Sequence, residues 1–255
     1  MQIVALQLDI QWENREWNHA RVRQLIEKLD LQKGSLLVLP EMFDTGFSMN
    51  TNRTDPGVMS SSETFCRALA AEYQVAALAG VVVRSDEGQF ANEAVAFAPD
   101  GKLLARYRKM RPFTGCDEHL HYTAGERHAV FKWSGIQIAP FICYDLRFPE
   151  LFRPAAKDGA ELIVVIANWP KKRSEHWVRL LQARAIENQA FVLGVNRAGT
   201  DPSFAYDGRS CLFDPHGREL FQAGAAEQVI VAEIDPTVAR QWRAEFPAVR
   251  DMKWI

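Results

Sequence analysis

The first apolar run, Gln2-Ile3-Val4-Ala5-Leu6-Gln7-Leu8, predicts a buried strand over residues 2–10. Asn14 then stands where a helix cap belongs, and Trp17, Val22, Leu25, Ile26 and Leu29 recur on one helical face. Leu36-Leu37-Val38-Leu39 is a short strand stopped by Pro40, with Glu41 directly after it and a loop over residues 42–56. Ser60 with Glu63 reads as a capping box for a helix that carries Phe65, Cys66, Leu69, Ala70 and Tyr73 on one stripe. Residues 75–84, 90–98 and 102–108 form a meander of three strands, joined by Asp86-Glu87-Gly88 and Pro99-Asp100-Gly101.

The segment 110–126 is irregular, and strands at 129–133 and 136–142 flank Ser134-Gly135. Pro149 fits the first turn of a helix running to about Lys157, because its missing N–H is not needed there. A buried strand at 162–167 is closed by Asn168-Trp169-Pro170. Ser174 is placed to cap a helix reaching Gln189, with Trp177, Leu180, Leu181, Ala185 and Ile186 as its apolar face. A strand at 191–195 ends in Asn196, residues 207–213 and 218–223 pair around Asp214-Pro215-His216-Gly217, and 229–234 is the last strand. Asp235 as cap and Pro236 as first helical residue open a final helix. Strands that alternate with helices and also meander predict an α/β sandwich, with a two-layer sheet core and helices outside.

Composition narrows this picture. With 255 residues, 47% of them hydrophobic, and no linker-like run, the chain reads as one domain over residues 1–255. A net charge of −2 without a basic stripe argues against nucleic acid, and the longest apolar runs, such as 75–83, are too short to span a bilayer. The first residues lack the basic segment and cleavage site of a signal peptide. Cys66, Cys116, Cys143 and Cys211 lie far apart without a C-x-x-C pair and read as free thiols in a reducing cytoplasm.

Three chemically distinct residues each follow a predicted strand: Glu41, Lys109 and Cys143. Strand ends are rigid and open, so a carboxylate, an ammonium and a thiol can converge at one edge of the core. A thiol needs a base to become a good nucleophile. Glu41 suits that role, Lys109 suits stabilisation of thiolate and oxyanion, and the backbone N–H of Tyr144 suits a second oxyanion donor. The product of amide attack is a thioester at Cys143 with release of ammonia, hydrolysed by a water that Glu41 activates.

The segments Leu39-Pro40-Glu41-Met42-Phe43, Tyr107-Arg108-Lys109 and Ile142-Cys143-Tyr144-Asp145-Leu146-Arg147-Phe148-Pro149-Glu150 resemble the three signatures of the nitrilase superfamily of carbon–nitrogen hydrolases, in order and spacing. Ala183-Arg184-Ala185-Ile186-Glu187-Asn188-Gln189 and Asn196-Arg197 are similar to that family as well. The resemblance implies a four-layer αββα sandwich, a cofactor-free Glu-Lys-Cys mechanism and a homodimer. It also implies a second glutamate, best matched by Glu118, which orients Lys109 and the substrate amide or shares proton transfer. Asp117-Glu118-His119-Leu120-His121-Tyr122 and Asn168-Trp169-Pro170 resemble the omega-amidase branch, whose substrate would be the omega-amide of a 2-oxo dicarboxylic acid, such as 2-oxoglutaramate or 2-oxosuccinamate. Arg147 first, and Arg173 second, are then the cations to meet the far carboxylate, and Phe43, Phe47, Tyr144 and Trp169 the aromatic lining.

Competing readings stand beside these. Cys143 alone reads equally as an ordinary buried thiol, and Cys66 and Cys211 as core residues. Lys109 lies among Arg106, Arg108 and Arg111, but strand alternation puts it with Tyr107 and away from Arg108. His119 and His121 lack a third partner at metal-ligand spacing, so no metal is expected. Arg147 has a structural alternative in pairing with Asp145 or Glu150, Arg184 and Glu187 read as a helical ion pair, and Asn168 and Asn196 as holders of rim loops. The alternative functions are an N-carbamoyl hydrolase or other member of the superfamily, or a catalytically silent binding member.

Overall fold

The computed structural model describes residues 1–57 and 61–253; Ser60, and with it the predicted capping box, lies outside them. The first half of the chain runs β1 (Gln2–Gln7), α1 (Arg15–Ile26), β2 (Leu36–Val38), α2 (Thr51–Thr54), α3 (Ser61–Tyr73), β3 (Ala76–Arg84), β4 (Phe90–Phe97) and β5 (Leu103–Arg108). A short helix α4 (Glu118–His121) precedes β6 (Phe131–Trp133), β7 (Ile136–Ile142), α5 (Pro149–Lys157), β8 (Leu162–Ala167), α6 (Ser174–Asn188) and β9 (Phe191–Asn196). Then come β10 (Ala198–Thr200), β11 (Ala205–Asp207), β12 (Cys211–Phe213), β13 (Glu219–Gln222), β14 (Gln228–Glu233) and α7 (Thr237–Glu245).

These strands form two six-stranded sheets, ordered β14-β1-β2-β3-β4-β5 and β13-β12-β9-β8-β7-β6. The central pairs β1–β2–β3 and β7–β8–β9 are parallel, and the outer pairs are antiparallel. Parallel neighbours need long crossovers, and the helices supply them. Alternation along the first sheet sorts its residues: Ile3, Ala5, Val38, Leu78, Ala94 and Tyr107 join the core shared with the second sheet. Val4, Leu6, Leu37, Val81, Val95 and Phe97 pack instead with Val22 and Ile26 of α1 and Phe65 and Leu69 of α3. On the far side α6 closes over the second sheet, where any Cβ at Gly194 would overlap Leu181 and Trp177. The result is the four-layer αββα sandwich.

Several local expectations shift. Asn14 does cap α1, its Oδ1 accepting the Trp17 N–H at 3.2 Å, yet Trp17 is 43% exposed. Asn18 takes the inward place because its amide bridges the carbonyls of Gln11 and Asp44, each at 2.8 Å. On α6 Ile186 is exposed, while Arg184 and Asn188 are buried. Arg184 earns that position by donating to the Leu146 carbonyl and to Glu187, each at 2.8 Å. Ser174 is the first helical residue of α6 and not its cap; its hydroxyl accepts from Arg209 instead. The strand expected at 207–213 is cut to Cys211–Phe213, because Gly208 and Arg209 take positive φ values of 59° and 54°. Asp207 belongs to a separate two-stranded ribbon, β10–β11, which carries no apolar alternation to betray it. The last helix starts at Thr237, one residue later than expected, with the Asp235 carboxylate accepting the Thr237 N–H.

Candidate active site

Glu41, Lys109, Glu118 and Cys143 come together, buried, at the strand ends of the sandwich. Each has a local reason to be there. Pro40 ends the second strand of the first sheet, and the backbone at Glu41 then presses against Gly80 of β3, where a side chain would not fit: a Cβ would stand 2.4 Å from the Glu41 Cα. Lys109 continues β5 on the inward face, beside Tyr107, while Arg108 turns the other way to pair with Glu93 at 2.9 Å. Glu118 opens the one-turn helix α4 and is fully buried.

Cys143 begins a 3-10 turn, Cys143–Arg147, with φ at +47°, a conformation that L-residues take only when the surroundings impose it. Asp145 imposes it here. Its buried carboxylate accepts the Ile142 N–H at 3.1 Å, the Tyr107 hydroxyl at 2.7 Å and the Arg111 N–H at 2.9 Å. Burial raises the Asp145 carboxyl to about 7, against the opposing pull of those donors and of Lys109.

The Lys109 ammonium sits between the two glutamates, donating to Glu41 Oε1 at 2.8 Å and to Glu118 Oε1 and Oε2 at 3.0 and 2.8 Å. Burial works against its charge, but Glu118 and Glu41 outweigh it and hold the ammonium above its ordinary value. Glu118 is also fixed by the Phe113 N–H at 2.5 Å. Burial pushes the Cys143 thiol well up, and the adjacent Glu41 carboxylate adds to this, partly offset by Lys109. The resting group is therefore a thiol, with the Asn168 carbonyl 3.8 Å from Sγ, and it needs a base at the moment of attack.

A pocket opens on Cys143. Arg147, Arg173, Tyr144 and Trp169 line it, as does Phe47, but Phe43 does not. Phe43 is fully buried on the helix side of the first sheet, where it stacks with His19 and Phe65 at 5.6 and 5.9 Å. The alternation after Pro40 breaks at Met42, whose φ is +43°, so the next side chain faces away from the site. Arg147 pairs with neither Asp145 nor Glu150; its guanidinium lies over the Trp169 ring at 4.8 Å and meets His176 at 3.4 Å. Arg173 lies over Phe113 at 5.5 Å.

Further residues shape the site, two of them expected only at its rim. Phe113, Asn168, Pro170 and Phe204 also line the pocket. Asn168 does more than hold a rim loop: its N–H donates to Glu41 Oε2 at 2.8 Å and its side-chain amide to the Glu41 carbonyl at 2.7 Å. Asn196 fixes Trp169 through the latter's N–H and carbonyl, at 2.7 and 3.1 Å. Asn92 of β4 donates to both Glu41 and Glu118, and its one sequence signal is an amide on the otherwise apolar inward face of that strand.

A buried thiol beside a carboxylate–ammonium–carboxylate cluster, open to a pocket at the strand ends of an αββα sandwich, has the layout of a thiol-dependent hydrolase. The chain belongs to the carbon–nitrogen hydrolase family, whose model, described as "Carbon-nitrogen hydrolase", matches residues 2–244. It is accordingly a hydrolase of carbon–nitrogen bonds other than peptide bonds. A protein named 2-oxoglutaramate amidase from Bacillus subtilis is 33% identical, covering 98% of this chain and 97% of its own length. Omega-amidase YafV of Escherichia coli K12 is 36% identical, covering 98% and 96%. Among solved structures, XC1258 from Xanthomonas campestris, described as a CN-hydrolase superfamily protein with an arsenic adduct in the active site, superposes with a TM-score of 0.93 at 32% identity, over 100% of this chain and 98% of its own.

Proposed function

We propose that the chain hydrolyses the omega-amide of a short 2-oxo dicarboxylic acid, such as 2-oxoglutaramate or 2-oxosuccinamate, to the acid and ammonia. The observation that carries this reading is a single pocket with the Cys143 thiol at one part of its wall and two arginines, Arg147 and Arg173, at another. A linear monoamide presents an amide to the first and a carboxylate to the second, and arginine grips a carboxylate with paired hydrogen bonds. The names of the Bacillus and Escherichia relatives support the same substrate class.

In this reading Glu41 takes the Sγ proton as the thiol attacks the amide carbon. Lys109 and the Tyr144 N–H stabilise the oxyanion, and Glu118 keeps Lys109 in place. Collapse breaks the C–N bond, Glu41 returns the proton to the departing nitrogen as ammonia leaves, and a thioester remains on Cys143. Glu41 then takes a proton from water, whose oxygen attacks the thioester; the acid departs and the thiol is restored. No cofactor or metal enters these steps.

Ammonia release across 2-oxoglutaramate, 2-oxosuccinamate, glutamine, asparagine, a carbamoyl amino acid and a nitrile tests the substrate class. A clear preference for the two oxo-amides is expected; equal rates across the panel sink it, and a preference for the carbamoyl amino acid would install an N-carbamoyl hydrolase in its place. A mass shift on Cys143 with substrate, absent in Cys143→Ala, tests the thioester. The reading extends to a homodimer in a reducing cytoplasm. Four free cysteines, and the exposed side chains of Ile186 and Phe246, support it, and sedimentation of the purified chain tests the dimer.

A further inference from the structure

We propose that Asn92 is a positioning residue of this reaction, which divides one side-chain amide between the two glutamates and steers the Cys143 proton to Oε2 of Glu41. The inference rests on the reading of Glu41 as the base. Asn92 lies on β4, 1% exposed, on the same face as Ala94 and Ala96. Its neighbour Glu93 points to the other face and pairs with Arg106 and Arg108. Nδ2 of Asn92 donates to Glu41 Oε1 at 2.8 Å and to Glu118 Oε1 at 2.9 Å. The Asn92 carbonyl accepts the Lys109 N–H at 2.9 Å. One residue thus touches both carboxylates and the backbone of the cation between them. The orientation of the amide follows from charge, since the reverse orientation would set Oδ1 against two carboxylate oxygens.

Donor placement does the steering. Glu41 Oε1 accepts from Lys109 and from Asn92, whereas Oε2 accepts chiefly from the Asn168 N–H. Two donors on Oε1 oppose protonation there, so the Sγ proton goes to Oε2 while the S–C bond forms and the carbonyl pair moves onto oxygen. Lys109 already donates to both oxygens of Glu118 and to only one of Glu41. The Asn92 amide gives Glu41 a second donor on Oε1 without adding charge to the cluster. Removing a donor from a carboxylate favours its protonated form, so the loss of the Asn92 amide is read in the pH profile of the reaction.

The test compares Asn92→Ser, Asn92→Leu and Asn92→Asp with the parent enzyme. Two profiles are read against pH: kcat/KM for 2-oxoglutaramate, and alkylation of Cys143 by iodoacetamide without substrate, followed on the Cys143 peptide by mass spectrometry. Loss of a hydrogen bond to a charged group lowers the Asn92→Leu rate about tenfold to a hundredfold. Its acid limb is expected to move up by about one pH unit in both profiles, with Asn92→Asp further displaced and Asn92→Ser between parent and Asn92→Leu. Acid limbs that coincide with the parent's, with the rate lowered by one factor at every pH, overturn the proposal and leave Asn92 a packing residue. Asn92→Ser decides the matter if the larger changes do not fold. The alkylation arm needs no substrate, so parent enzyme that releases no ammonia from 2-oxoglutaramate refutes the substrate class while this arm still judges Asn92.

Discussion

Gly80→Ala is expected to cripple the reaction from a residue with no chemistry of its own. Ordinarily, replacing a strand-interior glycine with alanine stabilises by roughly 0.5–1 kcal/mol, because the unfolded chain loses freedom. Here the added Cβ would stand 2.4 Å from the Glu41 Cα and 2.8 Å from both the Met42 nitrogen and the Pro40 oxygen. Carbon atoms rest about 3.5–4.0 Å apart, so the backbone at Glu41 must retreat by about 1 Å or more. That retreat stretches the 2.8 Å bond from Lys109 to Glu41 Oε1 and strains the paired bonds between Gly80 and the loop, Gly80 N–H to Pro40 O and Phe43 N–H to Gly80 O, both 3.1 Å. A misplacement of this size costs about a hundredfold in rate, and overpacking costs about 1–3 kcal/mol in stability. The expected result is therefore a folded protein, a few degrees less stable, with kcat for ammonia release down about a hundredfold and KM little changed. Steady-state ammonia assays with thermal unfolding on the same preparation would measure both. A Gly80→Ala enzyme within threefold of the parent would refute the claim that this contact sets the place of Glu41.

Three further outcomes follow from the site. Arg147→Ala should raise KM for 2-oxoglutaramate by about tenfold to a hundredfold and leave KM for an uncharged linear amide nearly unchanged, as steady-state kinetics on the two substrates would show; equal effects would remove Arg147 from carboxylate binding. Asp145 holds a proton more tightly in the folded protein, where burial raises its carboxyl to about 7, than in the unfolded chain, so its contribution to stability falls as pH rises from about 4 to 7. Asp145→Asn should flatten that part of the pH dependence of thermal unfolding and lower stability by about 1–3 kcal/mol, since an amide N–H₂ would then face one of the donors around it. Asn196→Ala should cost about 3 kcal/mol in denaturant unfolding, because the Trp169 N–H and the carbonyls of Trp169 and Gly208 lose their partners together.

The layers were legible because burial in a sandwich follows simple periodicities. The strand at 162–167 and the helix from Pro149 to Lys157 sit where apolar runs and proline placed them. Sequence reading erred where a polar side chain took an inward place through hydrogen bonds, as Asn18 and Arg184 did at the expense of Trp17 and Ile186. The strand-end rule led to Glu41, Lys109 and Cys143, and the resemblance to Glu118. Neither pointed to Asn92 or Phe204, and Asn168, though part of a matching segment, read only as a rim holder, because the Glu41 partner of the two asparagines lies 51 and 127 residues away and Phe204 is placed by the fold of a short ribbon. Phe43 shows the limit of adjacency: two residues from Glu41, it faces another layer because the chain turns through positive φ at Met42.

The charge of the buried cluster bears on how the pocket empties. Two carboxylates share a single ammonium there, whereas Arg147 and Arg173 line the pocket beyond. On the proposed reaction the substrate brings a neutral amide to the carboxylate end, but the product presents a new carboxylate to Glu41 and Glu118. At an effective dielectric of about 20, two like charges about 4 Å apart repel by roughly 4 kcal/mol. Turnover therefore converts a ligand matched to the pocket's polarity into one opposed to it, and hydrolysis itself supplies the push for product release.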